Sequence, residues 1–248
     1  MKVLIVGYGR MGREIEIICR ERKHEISGRI DISAGDADFS NLSNDALKGS
    51  DIAIEFSLPE GVLQNARAYA SAGLPAVVGT TGWEKDRDLV RSLIENSGSA
   101  YLWGSNFSLG AHLFFRLVNK AASMINSVPD YDILGYELHH HNKKDSPSGT
   151  ALVMAEGILK HNKKKTSIIT DKLNRAPKPE ELHVASVRGG SIPGIHTVLL
   201  DSAADTIEIK HSARNRSGFA LGAVMAAEWI LGKKGFYSVE DFIQEILG

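Results

Sequence analysis

The tightest constraint on this chain lies within its first twelve residues. There Gly7-Tyr8-Gly9-Arg10-Met11-Gly12 follows the apolar, β-branched run Lys2–Val6 and opens a stretch of helical period. The run reads as a buried parallel strand bounded by Gly7. Over residues 10–22, Met11, Ile15, Ile18 and Cys19 recur with the spacing of one helix face. In a strand–turn–helix of this kind each glycine has its own task. Gly7 permits the tight turn, Gly9 lets the backbone approach a pyrophosphate, and Gly12 lets helix and strand pack closely. The helix start adds unpaired N–H groups and partial positive charge. The motif in this context predicts a dinucleotide site and the first step of a Rossmann unit.

The alternation continues along the chain. Residues 25–31 and 51–56 read as strands, 60–72 as a helix, 75–78 as a short strand, 84–96 as a helix, and 100–103 as a closing strand. This order predicts a parallel sheet covered by helices on both faces. Residues 32–50, rich in Asp, Ser, Asn and Gly, receive no element. After about residue 106 the pattern changes: a long helix over 109–125, a strand over 131–138, a helix from Ser148 to about Leu159, and a polar loop over 161–180. Strands then follow at 183–187, 197–200 and 206–211 without intervening helices, as in an open mixed or antiparallel sheet. Helices over 219–231 and 239–246 are expected to return to the first domain. The expected fold is α/β: an N-terminal Rossmann dinucleotide-binding domain over 1–106, completed by 217–248, and a second α+β domain built on an open mixed sheet over 107–216. The second domain is expected to bind substrate and to build the oligomer.

Asp31 ends the second strand, nineteen residues beyond Gly12. A carboxylate there would accept hydrogen bonds from an adenosine ribose. It favours NAD over NADP, because a 2′-phosphate would meet negative charge, while Arg10 and Arg29 would offset that repulsion. NADH and NADPH therefore both stay open, as does a plain strand-capping role for Asp31. Phe56-Ser57 and Gly79-Thr80-Thr81-Gly82 follow the third and fourth strands, at the carboxyl ends where open α/β sheets bind ligands. They read either as close-fitting walls for the nicotinamide ribose or as ordinary turn chemistry.

Charge and composition narrow the partners. Twenty-nine basic residues against thirty acidic ones give a formal charge of −1, without the basic excess of an electrostatic nucleic-acid binder. The one strongly basic run, residues 160–165 (KHNKKK), reads as a solvated loop. A single cysteine, Cys19, excludes an intrachain disulfide framework and any cysteine-based metal cluster, and its helix face makes it buried filler. No apolar run approaches the roughly 18 residues of a membrane span, and no leader pattern precedes the first strand. A cytoplasmic protein without nucleic-acid or membrane partners is expected.

The segment from Glu137 to Ala151, ELHHHNKKDSPSGTA, concentrates chemistry. Pro147 suits the first turn of a helix, so Ser148, Gly149 and Thr150 would present free amides and hydroxyls to a carboxylate. Lys143 adds a full charge, and a histidine here can exchange protons near neutral pH. On a regular strand His139 and His141 would share one face and His140 the other. No cysteine or suitably spaced carboxylate pair completes a zinc pattern, so no metal is expected.

This segment resembles the signature E-x-H-H-x-x-K-x-D-x-P-S-G-T-A of the 4-hydroxy-tetrahydrodipicolinate (dihydrodipicolinate) reductase family, whose members serve lysine and diaminopimelate biosynthesis. The resemblance spans nearly the whole chain: GYGRMG, EFSLPEG, VVGTTGW, SNFSLG, VRGGSIPGIHTV and IEIKHSARNRSGFALGA are similar to other family segments. It implies that His139 is the general acid/base and Lys143 the proton donor. It also implies that His140, Lys143, Gly149 and Thr150 hold a cyclic dicarboxylate. Gly7, Arg10, Met11, Asp31, Phe56, Gly79, Thr80, Thr81, Ser105, Asn106 and Phe107 would face NADH or NADPH, and a homotetramer is the expected assembly. The glycine turn is one residue shorter than is common in the family and the 32–50 segment is abbreviated, so cofactor preference is not inherited. If His139 and His140 both meet the substrate, the strand must lose regularity there. Another small-molecule dehydrogenase would share the glycine turn but leave the His139–Thr150 signature unexplained. A non-catalytic nucleotide sensor should have lost His139 and Lys143.

Overall fold

The structure is a computed structural model describing residues 1–248. In chain order its elements are β1 (Lys2–Val6), α1 (Arg10–Glu21), β2 (Glu25–Ile30), α2 (Asn44–Leu47), β3 (Ile52–Glu55), α3 (Val62–Ala72), β4 (Ala76–Val78), α4 (Arg87–Ser97) and β5 (Ala100–Trp103). There follow α5 (Leu109–Met124), β6 (Asp132–His139), α6 (Gly149–His161), β7 (Ser167–Ile169), β8 (Glu181–Arg188), β9 (Ile195–Asp201), β10 (Thr206–Ser212), α7 (Ser217–Ile230), β11 (Gly235–Ser238) and α8 (Val239–Leu247). They form two compact units, Met1–Leu109 with Arg216–Gly248, and Gly110–Asn215. No helix is long and apolar enough to cross a membrane.

The first unit is a six-stranded sheet in the order β11-β5-β4-β3-β1-β2, parallel at every pairing. Its central strands are buried on both faces, which is why they read as unbroken apolar runs. Ile15, Ile18 and Cys19 of α1 pack in one core with Ala220, Ala223, Val224 and Ala227 of α7 and Phe242 of α8. Ala66, Tyr69, Val90 and Ile94, from α3 and α4, fill the core on the other face. Strand β11 was not anticipated. Its run GFYS holds only two large apolar residues, and it exists through its parallel pairing to β5.

The second unit is a mixed sheet, β10-β9-β6-β8-β7. Strand β6 is its axis, antiparallel to β9 and parallel to β8. Alternation along β6 sends Ile133, Gly135, Glu137 and His139 to the buried side. Phe114 and Val118 of α5, with Met154 and Ile158 of α6, cover that face. On the opposite face Leu134, Tyr136 and Leu138 are only half-buried and Val187 is exposed.

Two expectations for residues 160–180 are corrected. The expected loop contains β7, three β-branched or small residues held parallel to β8. The basic run is not uniformly solvated. Lys160 and His161 end α6, and Lys165 is buried, its ammonium 2.7 Å from Asp132 and donating to the carbonyls of Pro179 and Glu181 at 3.0 and 2.9 Å. Lysine tolerates this burial because each donor finds an oxygen.

The glycine turn shows a division of labour. A Cβ on Gly12 would stand 2.3 Å from the Gly7 carbonyl oxygen, and one on Gly7 would stand 2.2 Å from that of Phe56, whereas one on Gly9 would meet nothing within 4 Å. Gly7 also holds a φ of +90°, which side-chain-bearing residues avoid. Gly12→Ala is therefore expected to cost about 1–3 kcal/mol through overpacking, and Gly9→Ala at most about 1 kcal/mol, as a helix-cap change. Urea denaturation of the two variants measures the contrast, and equal losses would contradict it.

Candidate active site

In the first unit, β1 and β3 are neighbours, and the chain leaves them in opposite directions, the topological switch where such sheets bind ligands. An open groove of about 370 Å³ lies at their carboxyl ends, lined by Gly9, Arg10, Met11, Phe56, Ser57, Pro59, Gly79, Thr80 and Thr81. Only Pro59 among these is new; its signal was its position just past a strand end. The wall is braced from within. The Ser57 amide donates to Thr80 Oγ1 at 2.8 Å, and Ser57 Oγ donates to the buried Glu55 carboxyl at 2.5 Å. Burial raises the Glu55 pKa, while Ser57, Asn65 and Tyr69 donate to it and oppose the rise.

Other predicted residues lie outside this lining. Gly7 and Gly12 shape the turn. Asp31 accepts hydrogen bonds from the amides of Tyr8, Ser33 and Ala34 at 2.8, 2.8 and 3.0 Å. Burial pushes its pKa up, but these donors outweigh it and hold the carboxyl below its ordinary value. Asn106 Oδ1 accepts the Ser108 amide at 2.9 Å, next to Ser105 in the turn before α5. Phe107 is buried, its ring edge-on to Phe56 at 6.0 Å between centroids.

In the second unit, β6 ends at His139, and the His140 amide leaves the ladder to donate to the Ile192 carbonyl at 2.8 Å. The strand does lose regularity between the two histidines. His140 Nδ1 is buried without a hydrogen-bond partner. His141 Nδ1 lies 2.9 Å from the Gly190 carbonyl.

Behind His139 lies a fully buried carboxylate, Glu137. Its Oε1 accepts from the Ser148 amide, Ser186 Oγ and Arg188, each at 2.8 Å, and its Oε2 accepts from Ser148 Oγ. His139 Nδ1 stands 3.1 Å and His196 Nε2 3.4 Å from Oε2. Ser148 is in turn the N-cap of α6, accepting the Ala151 amide. Burial raises the Glu137 carboxyl, but His196, Ser148 and Arg188 together hold it far below the usual range. Burial drives the His139 imidazole down to about 4, against the opposing pull of Glu137. Lys143 Nζ is paired with both Asp145 oxygens at 2.7 and 2.9 Å. Asp145 is held low chiefly by Lys143, with a contribution from the Gly149 amide. Thr150 follows in the first turn of α6.

Sequence reasoning missed Glu137, Ser186, Arg188 and His196. The two-residue alternation of the strand carried a signal, since it sets Glu137 and His139 on one face; the other three come from strands distant in sequence. Ligand atoms of Glu137, His139 and His196 all lie within 4.8 Å of one another. The carboxylate already has Arg188 against it, and that positive charge disfavours a second cation.

A glycine turn on a parallel sheet, with a neutral imidazole, an ammonium and a helix N-terminus in the second unit, defines a pyridine-nucleotide-dependent oxidoreductase. Residues 1–107 match the family model of the dihydrodipicolinate reductase N-terminus, and residues 110–243 that of its C-terminus. The chain belongs to the dihydrodipicolinate reductase family, whose members use NAD(P)H. It is 37% identical over 246 residues to the 4-hydroxy-tetrahydrodipicolinate reductase of Christiangramia forsetii, covering 99% of each chain. It is 38% identical over 201 residues to that of Archaeoglobus fulgidus, covering 79% of this chain and 76% of the relative. The dipicolinate-bound dihydrodipicolinate reductase from Paenisporosarcina sp. TG-14 shares the fold, with a TM-score of 0.76 over 96% of this chain and 97% of that one at 21% identity.

The depressed His139 pKa has a consequence for stability. Between the ordinary 6.5 and about 4 the unfolded chain binds a proton that the folded chain refuses, so stability falls as pH drops through that window. Urea denaturation at pH 7 and pH 4.5 should show a loss that His139→Gln reduces by on the order of 1–3 kcal/mol. Identical losses in parent and variant would contradict the burial argument.

Proposed function

We propose that this chain reduces 4-hydroxy-tetrahydrodipicolinate (dihydrodipicolinate) to tetrahydrodipicolinate with NAD(P)H, in lysine and diaminopimelate biosynthesis in the cytoplasm. The observation that carries the reading is the convergence of His139, Lys143 and the capped start of α6 on one short segment of the second unit.

The dinucleotide reading rests on the open space over Gly9, which a Cβ would partly fill, and on the small hydroxylated wall of the groove. Gly9, Arg10, Met11 and Gly12 present the turn and the start of α1 to a pyrophosphate. Phe56, Ser57, Gly79, Thr80 and Thr81 flank the nicotinamide ribose, with Ser105, Asn106 and Phe107 supporting that end. When bound, the reduced nicotinamide supplies the hydride. Lys143, His140 and the Gly149 and Thr150 amides grip the substrate carboxylates, charge-assisted contacts of the stronger kind. Ser148 fixes those amides by capping the helix. The hydroxylated ring loses water to give the dihydro form; hydride addition to that form leaves electron density on the ring, and a proton must follow from Lys143 or through His139.

Asp31 marks the adenosine end, and of the nearby cations Arg29 and Arg13 are committed to other carboxylates, leaving Arg10 in the groove lining. Arg29 forks onto Glu16 at 2.7 and 2.6 Å and reaches Asp38 at 3.0 Å, while Arg13 forks onto Asp36 at 2.7 Å. A 2′-phosphate would meet carboxylates whose counterions are already shared, which favours NADH. The half-exposed apolar face around Tyr136, Leu138 and Val187 supports association with further copies, of which a homotetramer is the proposed form.

Loss of nicotinamide absorbance with freshly generated substrate tests the reading. Turnover is expected in the parent, with kcat/KM at least about tenfold higher for NADH than for NADPH, a difference of about 1.4 kcal/mol. His139→Ala is expected to lose roughly 10²–10⁴-fold in kcat with near-unchanged dinucleotide affinity. Equal turnover in both proteins rejects His139 as the proton-transfer residue.

A further inference from the structure

The feature that the reaction does not by itself explain is the buried carboxylate behind the imidazole. Glu137 has no exposed surface, yet it accepts four hydrogen bonds, two from Ser148 at the helix start and two from Ser186 and Arg188 of β8, and has the His139 and His196 rings within 3.4 Å. Its two oxygens face different tasks. Oε1 takes the Ser148 amide, Ser186 Oγ and Arg188, contacts that tie the start of α6 to β6 and β8. Oε2 takes Ser148 Oγ and faces His139 Nδ1 at 3.1 Å, a close contact bent away from the line of an ideal hydrogen bond.

We propose that Glu137 is the positioning residue of this site: its carboxylate holds His139 in the Nδ1–H tautomer and leaves Nε2 as a proton acceptor, which takes a proton from the Lys143 ammonium or solvent and passes it to the substrate ring.

The chemistry follows from the inventory of donors. An ionised carboxylate only accepts, so a ring nitrogen 3.1 Å away must carry hydrogen or suffer repulsion between lone pairs. In a neutral imidazole, fixing the proton on one nitrogen makes the other the acceptor. That other nitrogen faces the Gly194 backbone, where an added Cβ would stand 3.0 Å from Nε2. Glycine keeps a side chain from crowding that nitrogen. The groups around the imidazole on neighbouring elements are Arg188 on β8, His196 on β9 and Lys143 on the loop after β6, all of which act on it electrostatically. None of the three can accept the Nδ1 proton: arginine and ammonium only donate, and the His196 ring meets His139 edge to face, 5.2 Å between centroids.

Glu137→Gln separates the two tasks. The amide oxygen can stay on the Oε1 side, keeping the Ser148 amide, Ser186 and Arg188 satisfied, while Ser148 Oγ loses its acceptor on the Oε2 side and must turn its hydrogen elsewhere, keeping only the Ala151 amide that caps α6. The NH₂ group then faces His139 and donates to Nδ1, which inverts the tautomer. The kinetic part of this proposal rests on the reductase reading above; the tautomer part does not.

Nitrogen-15 NMR of the imidazole in ligand-free protein reads the tautomer directly, in the parent and in Glu137→Gln. The expected result is Nδ1–H for His139 in the parent and Nε2–H, or a mixture, in the variant. Turnover should fall about 10–100-fold in kcat, with substrate KM changed less than about threefold. Finding Nε2–H in the parent overturns the proposal even if the variant fails to fold. So does a variant that keeps Nδ1–H, or one that changes tautomer with kcat intact. Absence of any reductase turnover in the parent would reject the reaction while leaving the tautomer result to decide the positioning claim.

Discussion

A carboxylate removed from water must be surrounded by donors or it will not stay charged. Glu137 meets that demand, and the organisation of the second unit follows from it. Its position on the central strand draws Arg188 from β8, His196 from β9 and the Ser148 cap of α6 into one network. The same charge that stabilises the helix start also borders the imidazole at the strand's end. Structure and chemistry share one anchor, so the reactive segment is held by the middle of a sheet although much of it is loop.

The first unit solves a different problem, that of bringing backbone close to backbone. Gly7 and Gly12 are occupied by neighbouring main chain, and Gly9 is the one left open. Asp31 steadies this turn by accepting the Tyr8 amide. Tyr8 in turn donates to Glu16 at 2.5 Å, and Glu16, held down to about 2 chiefly by Arg29, completes a charged lattice behind the turn. The adenosine-side residues are thus structural members as well as binding candidates.

How much of this was legible depended on whether the determining contact was local. The strand–glycine–helix start, the alternation through residue 103 and the long helix after it are written in period and punctuation, and apart from the unexpected α2 they read correctly to within three residues. Strands β7 and β11 were invisible because each offers only two consecutive apolar residues, fewer than the equally short β3, β4 and β5; a neighbouring strand makes them strands. Lys165 looked like part of a solvated basic run, since nothing in KHNKKK tells which lysine will find two carbonyls and an aspartate. In the site, His139 and Lys143 announced themselves by clustering, whereas Arg188 and His196 reach it from β8 and β9.

The Lys143–Asp145 pair changes what it means for an anion to bind here. The ammonium is already matched by a carboxylate of its own loop, so a dianion bound as proposed would exchange partners and gain little from bare charge attraction. Discrimination then falls to shape: a ligand must offer its carboxylate in a better place than Asp145 does, and keep the helix amides satisfied as it arrives. A small monoanion of the same charge density, with nothing to span the distance from lysine to helix, has no leverage in that exchange. Under the proposed function the loop's own aspartate would act as a threshold, sorting visitors by geometry before any chemistry begins.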